Sequence, residues 1–432
     1  MNNRKIYGRF STTVAALSVA ACFIVAPTHA EETPDPSASP PATGIRRLQY
    51  RCVLKSPGGA LPFELMLIQP HGTDRWTALF QNGEETVQLH DVEFDNARLH
   101  IAFPHYDAHI TALKQDDGTF AGRWFKTTGP NKQSELPFTA TPNVSYRFPP
   151  IARRSSDNKL AYSWRAKFAK SDDPAVGLFS HEADGSVTGT FLTTTGDYRF
   201  LAGDFDGKRL RLSSFDGAHA FLFNAILTSD GTLKGDFWSR DTWHETWTAT
   251  PDENGISVDP WKMTTAREAI NLSTIRFPDL EGNLRSLGSD PAWAGKPRII
   301  EISGSWCPNC HDAAGHLETL YQQHQSEGLV IISLMFEVTG DFKRDARQVR
   351  RFRDRHQLTY PLLVGGKADR ERVADQVQLI DKLRSYPTMI FVDRNDQVQA
   401  IYTGYAGPAT GTYHKAQNKK IDAVVEKLLA AK

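Results

Sequence analysis

Cysteine is scarce: Cys22, Cys52, Cys307 and Cys310 are the whole complement of a 432-residue chain. So few in so long a chain exclude a disulfide scaffold, because a chain of this size stabilises itself by core burial. An excess of charge of either sign is also missing, with 50 Lys+Arg against 50 Asp+Glu. That removes the global electrostatic case for nucleic acid or for an anionic membrane surface as partner. Past the first thirty residues there is no apolar run long enough to approach a membrane span. Aromatic residues, by contrast, are plentiful: 24 Phe, 12 Tyr and 9 Trp, within a 40% hydrophobic composition. Real cores are expected, with disorder confined to short segments, and the length implies two or three domains.

The N-terminus reads as a targeting signal. Arg4, Lys5 and Arg9 form a positive region, Val14 to Val25 an apolar one, and Thr28-His29-Ala30 precedes polar Glu31-Glu32. Residues 1–30 are therefore expected to be a signal peptide. A second reading sits inside it: Val19-Ala20-Ala21-Cys22 resembles the bacterial lipobox, in which the cysteine becomes the lipidated first residue. Phe23-Ile24-Val25 is more apolar than the usual start of a lipoprotein, which favours cleavage after Ala30. Both readings predict export to a periplasm. Residues 31–44, rich in Pro, Ser and Ala, are expected to form a flexible linker. Cys52 lies in the strand-like run Leu48 to Leu54 and is expected to be a buried, apolar-like side chain.

From about Ile45 to Thr250 the signals are β throughout. Short apolar or alternating stretches are cut by Asn82-Gly83, Asp117-Gly118, Asp206-Gly207 and Asp230-Gly231, which are hairpin turns. A weak internal repeat runs through this region. Phe94 to Leu99 parallels Phe205 to Leu210, and Asp117 to Gly122 parallels Asp230 to Gly235. Phe138-Thr139-Ala140-Thr141-Pro142 parallels Trp247-Thr248-Ala249-Thr250-Pro251. Three matches in one order predict two tandem all-β modules, 45–148 and 149–255, each a sandwich or a small barrel. Trp124, Trp238, Trp243 and Trp247 are expected to serve core and hairpin packing.

After Asp252 the period changes. Buried strands are expected at Arg298 to Ile302, Leu329 to Leu334 and Met389 to Val392, followed by Val398 to Tyr402. Helices are expected from Cys307 to about Gln325, from Phe342 to His356 and over Ile421 to Leu429. Strands alternating with helices predict an α/β domain over 265–432, with a mixed sheet covered on both faces. In the basic segment, Asp341, Asp345 and Asp354 interrupt the arginines, which predicts a solvated helix face.

Cys307-Pro308-Asn309-Cys310 stands at the junction of a strand and the following helix. The free N–H groups and dipole of the first turn favour a thiolate at Cys307. Cys310, one turn on, is placed to resolve a mixed disulfide. Pro308 fits the first turn, where its missing N–H costs nothing. Two rival chemistries share the motif. Zinc would need two more ligands, and no second C-x-x-C or H-x-x-x-H follows. Covalent haem is raised by His311, which completes a C-x-x-C-H attachment motif. Its context, directly after a buried strand in an α/β segment, counts against haem.

Gly304-Ser305-Trp306-Cys307-Pro308-Asn309-Cys310 after a buried strand, and Ser385-Tyr386-Pro387-Thr388 before another, resemble the extracytoplasmic thioredoxin-like family of TlpA and ResA type. Phe277 to Gly282 and Gly295-Lys296-Pro297 are similar to that family's approach to its first core strand. The resemblance covers roughly the last 160 residues. It implies a thioredoxin-like domain in which Pro387 is the cis-proline beside the dithiol. Glu301 would be the buried acid that takes and returns the proton of Cys310, and Trp306 the tryptophan flanking the site. Many family members carry an acid three residues after the second cysteine and a proline two further on; here Ala313 and Gly315 stand there, with Asp312 one step earlier.

The function so implied is an exported thiol–disulfide oxidoreductase, a reductase of protein disulfides, re-reduced by a membrane-bound donor and needing no cofactor or metal. A peroxiredoxin-type thiol peroxidase shares the fold, but the P-x-x-x-T-x-x-C motif is absent. The remaining alternative is a ligand- or envelope-binding protein with a redox-sensing dithiol.

Overall fold

Alternation builds the first sheet. In the strand Ile45–Ser56, positions 50, 52, 54 and 56 are all buried while their neighbours face outward. The computed structural model describes residues 44–431 apart from 96, 151–157, 254, 256–258 and 269. The expected signal peptide, the linker up to 43 and Cys22 lie outside the described residues.

Nine antiparallel strands, Ile45–Ser56 to Lys132–Pro142, run up and down around one core, and the first pairs with the ninth. Nine more, Ser163–Phe168 to Trp243–Pro251, form a second antiparallel sheet whose first strand again pairs with its ninth. Pairing of Ala175–His181 with Ser186–Thr193 closes this second sheet into a barrel. The repeat is visible in the register. Tyr50 faces Pro142 and Cys52 faces Ala140 in the first sheet, while Trp164 faces Pro251 and Ala166 faces Ala249 in the second. Cys52 thus occupies a position that holds a small apolar residue in the other copy, and it is fully buried.

The repeated phrases have a local cause. Asp95 accepts from the N–H groups of Ala97 and Arg98, and Asp206 from those of Lys208 and Arg209. Asp117 and Asp230 cap the N–H groups of Thr119 and Thr232 in the same way. These are side-chain-closed turns at matching hairpins. A Cβ on Gly122 or on Gly235 would lie 2.0 Å from a neighbouring strand's carbonyl, so both copies keep glycine there.

The two sheets are not beads on a string. Phe215, Ala218, Ala220 and Leu222, from the second sheet, are buried in the core of the first. Phe215 stacks on Phe63 at 4.4 Å and meets Phe80, Phe103 and Trp124. The Arg147 guanidinium donates to Gln81 O, Asn82 Oδ1, Ser213 Oγ and Ser213 O, tying the same junction with charge-assisted bonds.

The third sheet has five strands in the order Leu362–Lys367, Val330–Glu337, Arg298–Ser303, Thr388–Val392, Val398–Thr403. The first three are parallel and the last two antiparallel. Ile300, Ile302, Ile332 and Leu334 face one core, and Ile299, Ile331, Met389 and Phe391 the other, so the sheet is covered on both sides. The helices are Pro308–His324, Phe342–His356, Arg370–Val377 and Thr412–Ala430. The last begins nine residues before the expected stretch, and its first turns are polar, which hid them. The strand Leu362–Lys367, with two glycines, and the short helix Arg370–Val377 were not foreseen. No helix of the described residues is long and apolar enough to cross a membrane.

The basic helix Phe342–His356 corrects an expectation. Rather than facing solvent alone, it docks on the first β sheet. Arg344 pairs with Asp107, Gln348 Nε2 donates to Pro104 O and His105 O at 2.8 Å, and Arg355 reaches Gln88 O. Its cations count locally, as hydrogen-bond donors to a neighbouring module, although the chain as a whole is neutral.

Candidate active site

The strand Arg298–Ser303 lies at the centre of its sheet and delivers the chain directly to the dithiol. Gly304 makes the exit possible: a Cβ there would sit 2.5 Å from Trp306 Nε1 and 2.7 Å from Phe336 O. Trp306 Nε1 donates to that carbonyl at 2.9 Å, and its ring meets Tyr386 edge-on at 5.1 Å. Cys307 is the extended N-cap residue and Pro308 the first residue of the helix Pro308–His324. The N–H of Cys310 donates to Cys307 O at 3.0 Å. Both cysteines are free thiols; Cys307 keeps 6% of its surface exposed and Cys310 none.

The peptide bond Tyr386–Pro387 is cis, and Tyr386 O lies 3.5 Å from Cys307 Sγ. Glu301 is fully buried, opposite Ser333 in the parallel ladder and Met389 in the antiparallel one. Ser333 Oγ donates to Glu301 Oε2, while Oε1 has no hydrogen-bond partner. Burial pushes this carboxyl up to about 7, the hydroxyls of Ser333 and Ser303 holding it back in part. Burial, then Cys307 and the Glu301 charge, push the Cys310 thiol well up. The structure therefore brings Cys307, Cys310, Glu301, Trp306 and Pro387 into one site, with a buried carboxyl on the strand that leads to the dithiol.

Sequence reasoning missed a second buried acid. Glu337, at the end of Val330–Glu337, accepts from the N–H and Oγ of Ser305 at 2.8 and 2.7 Å. Burial raises it to about 7. His311, which raised the haem alternative, has both ring nitrogens engaged. Nε2 lies 2.8 Å from Ser305 O and Nδ1 2.6 Å from His356 Nε2. Its ring also meets Tyr106 of the first sheet at 4.6 Å.

Also unforeseen was the part played by the β modules. The hairpin at Thr193–Asp197 leans on the rim of the site. Ser385 Oγ donates to Thr195 O at 2.8 Å and Asn309 Nδ2 to Asp197 Oδ1 at 3.0 Å. Gly196 favours glycine on two counts: its φ is +155°, and a Cβ there would lie 2.2 Å from Asn309 Nδ2. Arg199 then binds three elements at once: Glu85 of the first sheet, Asp216 of the second and Asp312 of the site helix. Asp312 is thus a docking residue for the second barrel. In sequence the hairpin reads only as Thr-Thr-Thr-Gly-Asp, an ordinary turn.

These contacts leave a cleft of about 540 Å³ between the second barrel and the dithiol, floored by Trp306, Cys307, Pro308 and Asn309. Among the described residues no group of three or more His, Cys, Asp or Glu is arranged to hold a metal ion.

Residues 271–401 match the model of the AhpC/TSA family, so the C-terminal third carries a thioredoxin-like domain. Thiol-disulfide oxidoreductase ResA of Geobacillus thermodenitrificans is 29% identical over 126 residues, which is 29% of this chain and 63% of that protein. Thioredoxin-like protein YneN of Bacillus subtilis is 26% identical over 110 residues, 26% of this chain and 58% of that protein. A secreted thiol-disulfide isomerase from Corynebacterium glutamicum superposes with a TM-score of 0.30 at 16% identity, covering 42% of this chain and 96% of that one. The chain spans less than two thirds of the length of either sequence relative, and neither match is long enough to include both β sheets.

Proposed function

We propose that this chain is an exported thiol–disulfide oxidoreductase that reduces protein disulfides through Cys307 and Cys310. The observation that carries the reading is Cys307 Sγ at a helix N-terminus, 3.5 Å from the carbonyl before a cis-proline, with Glu301 buried beneath Cys310. Cys307 attacks one sulfur of the substrate disulfide, whose S–S bond breaks, and the departing thiolate takes a proton. Cys310 gives its proton to Glu301 and attacks Cys307, expelling the second substrate thiolate. Two electrons pass to the substrate, and a Cys307–Cys310 disulfide remains. The raised thiol of Cys310 makes a local base necessary for the second step. Pro387 keeps the neighbouring backbone open to a substrate strand, and Trp306 shapes the edge of the site. A membrane-bound dithiol donor would restore the reduced form.

The test is redox equilibration of the full chain with glutathione, followed by insulin reduction. The reductase reading expects a potential below about −200 mV and activity abolished in Cys307→Ser; a potential near about −120 mV, typical of a strong thiol oxidant, would overturn the direction. Rapid peroxide consumption that is lost in Cys307→Ser would support the thiol peroxidase instead.

A further inference from the structure

The cleft over Cys307 is lined on its far wall by two cations, Lys126 and Arg240, that form no salt bridge among the described residues. Lys126, from the first sheet, is only 5% exposed. Its ammonium makes one long hydrogen bond, to Tyr106 O at 3.4 Å, and lies 5.2 Å from the Tyr106 ring. Arg240, half-buried at the end of the strand Leu233–Ser239, lines the same cleft. Among the described residues no carboxylate lies at salt-bridge distance from either. The three acids that line the cleft have other partners: Glu245 accepts from Trp243 Nε1 and Lys170 N, Asp173 from Thr194 Oγ1, and Asp197 from Asn309 Nδ2. Burial and the nearby Arg240 charge lower Lys126 to about 8 against the pull of Asp216, Asp107 and Glu337, each of which is bound elsewhere, and the ammonium stays mostly charged at neutral pH. A buried cation without an ion-pair partner, next to a half-buried second one, is costly unless something anionic joins them.

A charge-poor disulfide gains nothing from this wall, and a cationic one is repelled by it. The walls also limit size. With the hairpin Thr193–Asp197 hydrogen-bonded to Asn309 and Ser385, the route to Cys307 is a cleft rather than an open surface. Building on the oxidoreductase reading, we infer that the cleft is a carboxylate-binding chamber, and that Lys126 and Arg240 select a disulfide flanked by a carboxylate on a slender carrier. That carboxylate has two sources: a small acidic disulfide, or an acidic residue beside the cysteine of an extended peptide. In either case the exchange at Cys307 and Cys310 is the one already written, with electrons resupplied by the dithiol donor.

The experiment compares full-chain kcat/KM for oxidised glutathione against cystamine, and for two short disulfide-bridged peptides differing only in Asp or Lys beside the cysteine. At least a tenfold preference for the anionic member of one pair is expected, falling threefold or more in Arg240→Gln and further in Lys126→Gln, with circular dichroism unchanged. A preference confined to the glutathione pair identifies the small disulfide, one confined to the peptides the extended segment. Equal rates within both pairs, or a preference that survives both substitutions, would overturn the chamber. Calorimetry on the redox-inert full chain carrying Cys307→Ser and Cys310→Ser separates the two claims, because it reads binding alone. Oxidised glutathione or the Asp peptide binding where cystamine and the Lys peptide do not supports the chamber even if the wild type reduces nothing. No charge preference in binding overturns it even if every disulfide is reduced.

Discussion

Glu301 keeps its proton in the folded chain up to about pH 7, whereas an unperturbed carboxyl releases it near 4.5. Between those values the folded state binds more protons than the unfolded one, so this residue lowers stability as pH rises from 4.5 to 7. Glu301→Gln should therefore leave the urea midpoint at pH 4 nearly unchanged and raise stability at pH 8 by up to about 3 kcal/mol. Activity should move the other way. Rapid-mixing of the resolving step should show a loss of about 100-fold and no inflexion near pH 7. Retention of the inflexion in Glu301→Gln would transfer it to Glu337, which burial raises to a similar value. Glu301 was legible in sequence because Ile299, Ile300 and Ile302 enclose it on a core strand. Glu337 and Arg199 were not legible. Their burial comes from neighbours far away in the chain, and nothing in their local sequence records it.

Elements divide in the same way. Hairpin turns closed by Asp117 and Asp230, and the strand-to-helix junction at Cys307, are local, and local chemistry announces them. The docking of Thr193–Asp197 on the site is tertiary, set by shape at Gly196 and by hydrogen bonds to Asn309 and Ser385. That contact is open to test with Gly196→Val. The added side chain meets Asn309 Nδ2 and should lift the hairpin, costing about 1–3 kcal/mol as overpacked sites do. Alkylation of Cys307 by a bulky maleimide should speed up several-fold against wild type; an unchanged rate would show that the hairpin does not restrict access.

At the scale of the molecule, the repeat announced two β modules but not their fusion, because the junction rests on Phe215, which has no mark in sequence beyond its hydrophobicity. Phe215→Ala removes a ring packed among Phe63, Phe80, Phe103 and Trp124, and should cost about 3–5 kcal/mol. Arg199→Ala strands buried Asp216 and half-buried Glu85 and Asp312 and should cost about 3–5 kcal/mol. Either loss should shift tryptophan fluorescence and far-ultraviolet circular dichroism together in urea. Two separated transitions would show that the modules unfold independently. The proposed chemistry turns on Cys307 as the attacking thiol and Cys310 as the resolving one. The direct measurement is mass spectrometry of full-length Cys310→Ala after exposure to a disulfide substrate. One adduct is predicted, mapped to Cys307 and released by dithiothreitol, while the wild type forms no lasting adduct and ends two hydrogens lighter. An adduct on Cys52, or none at all, would contradict the account.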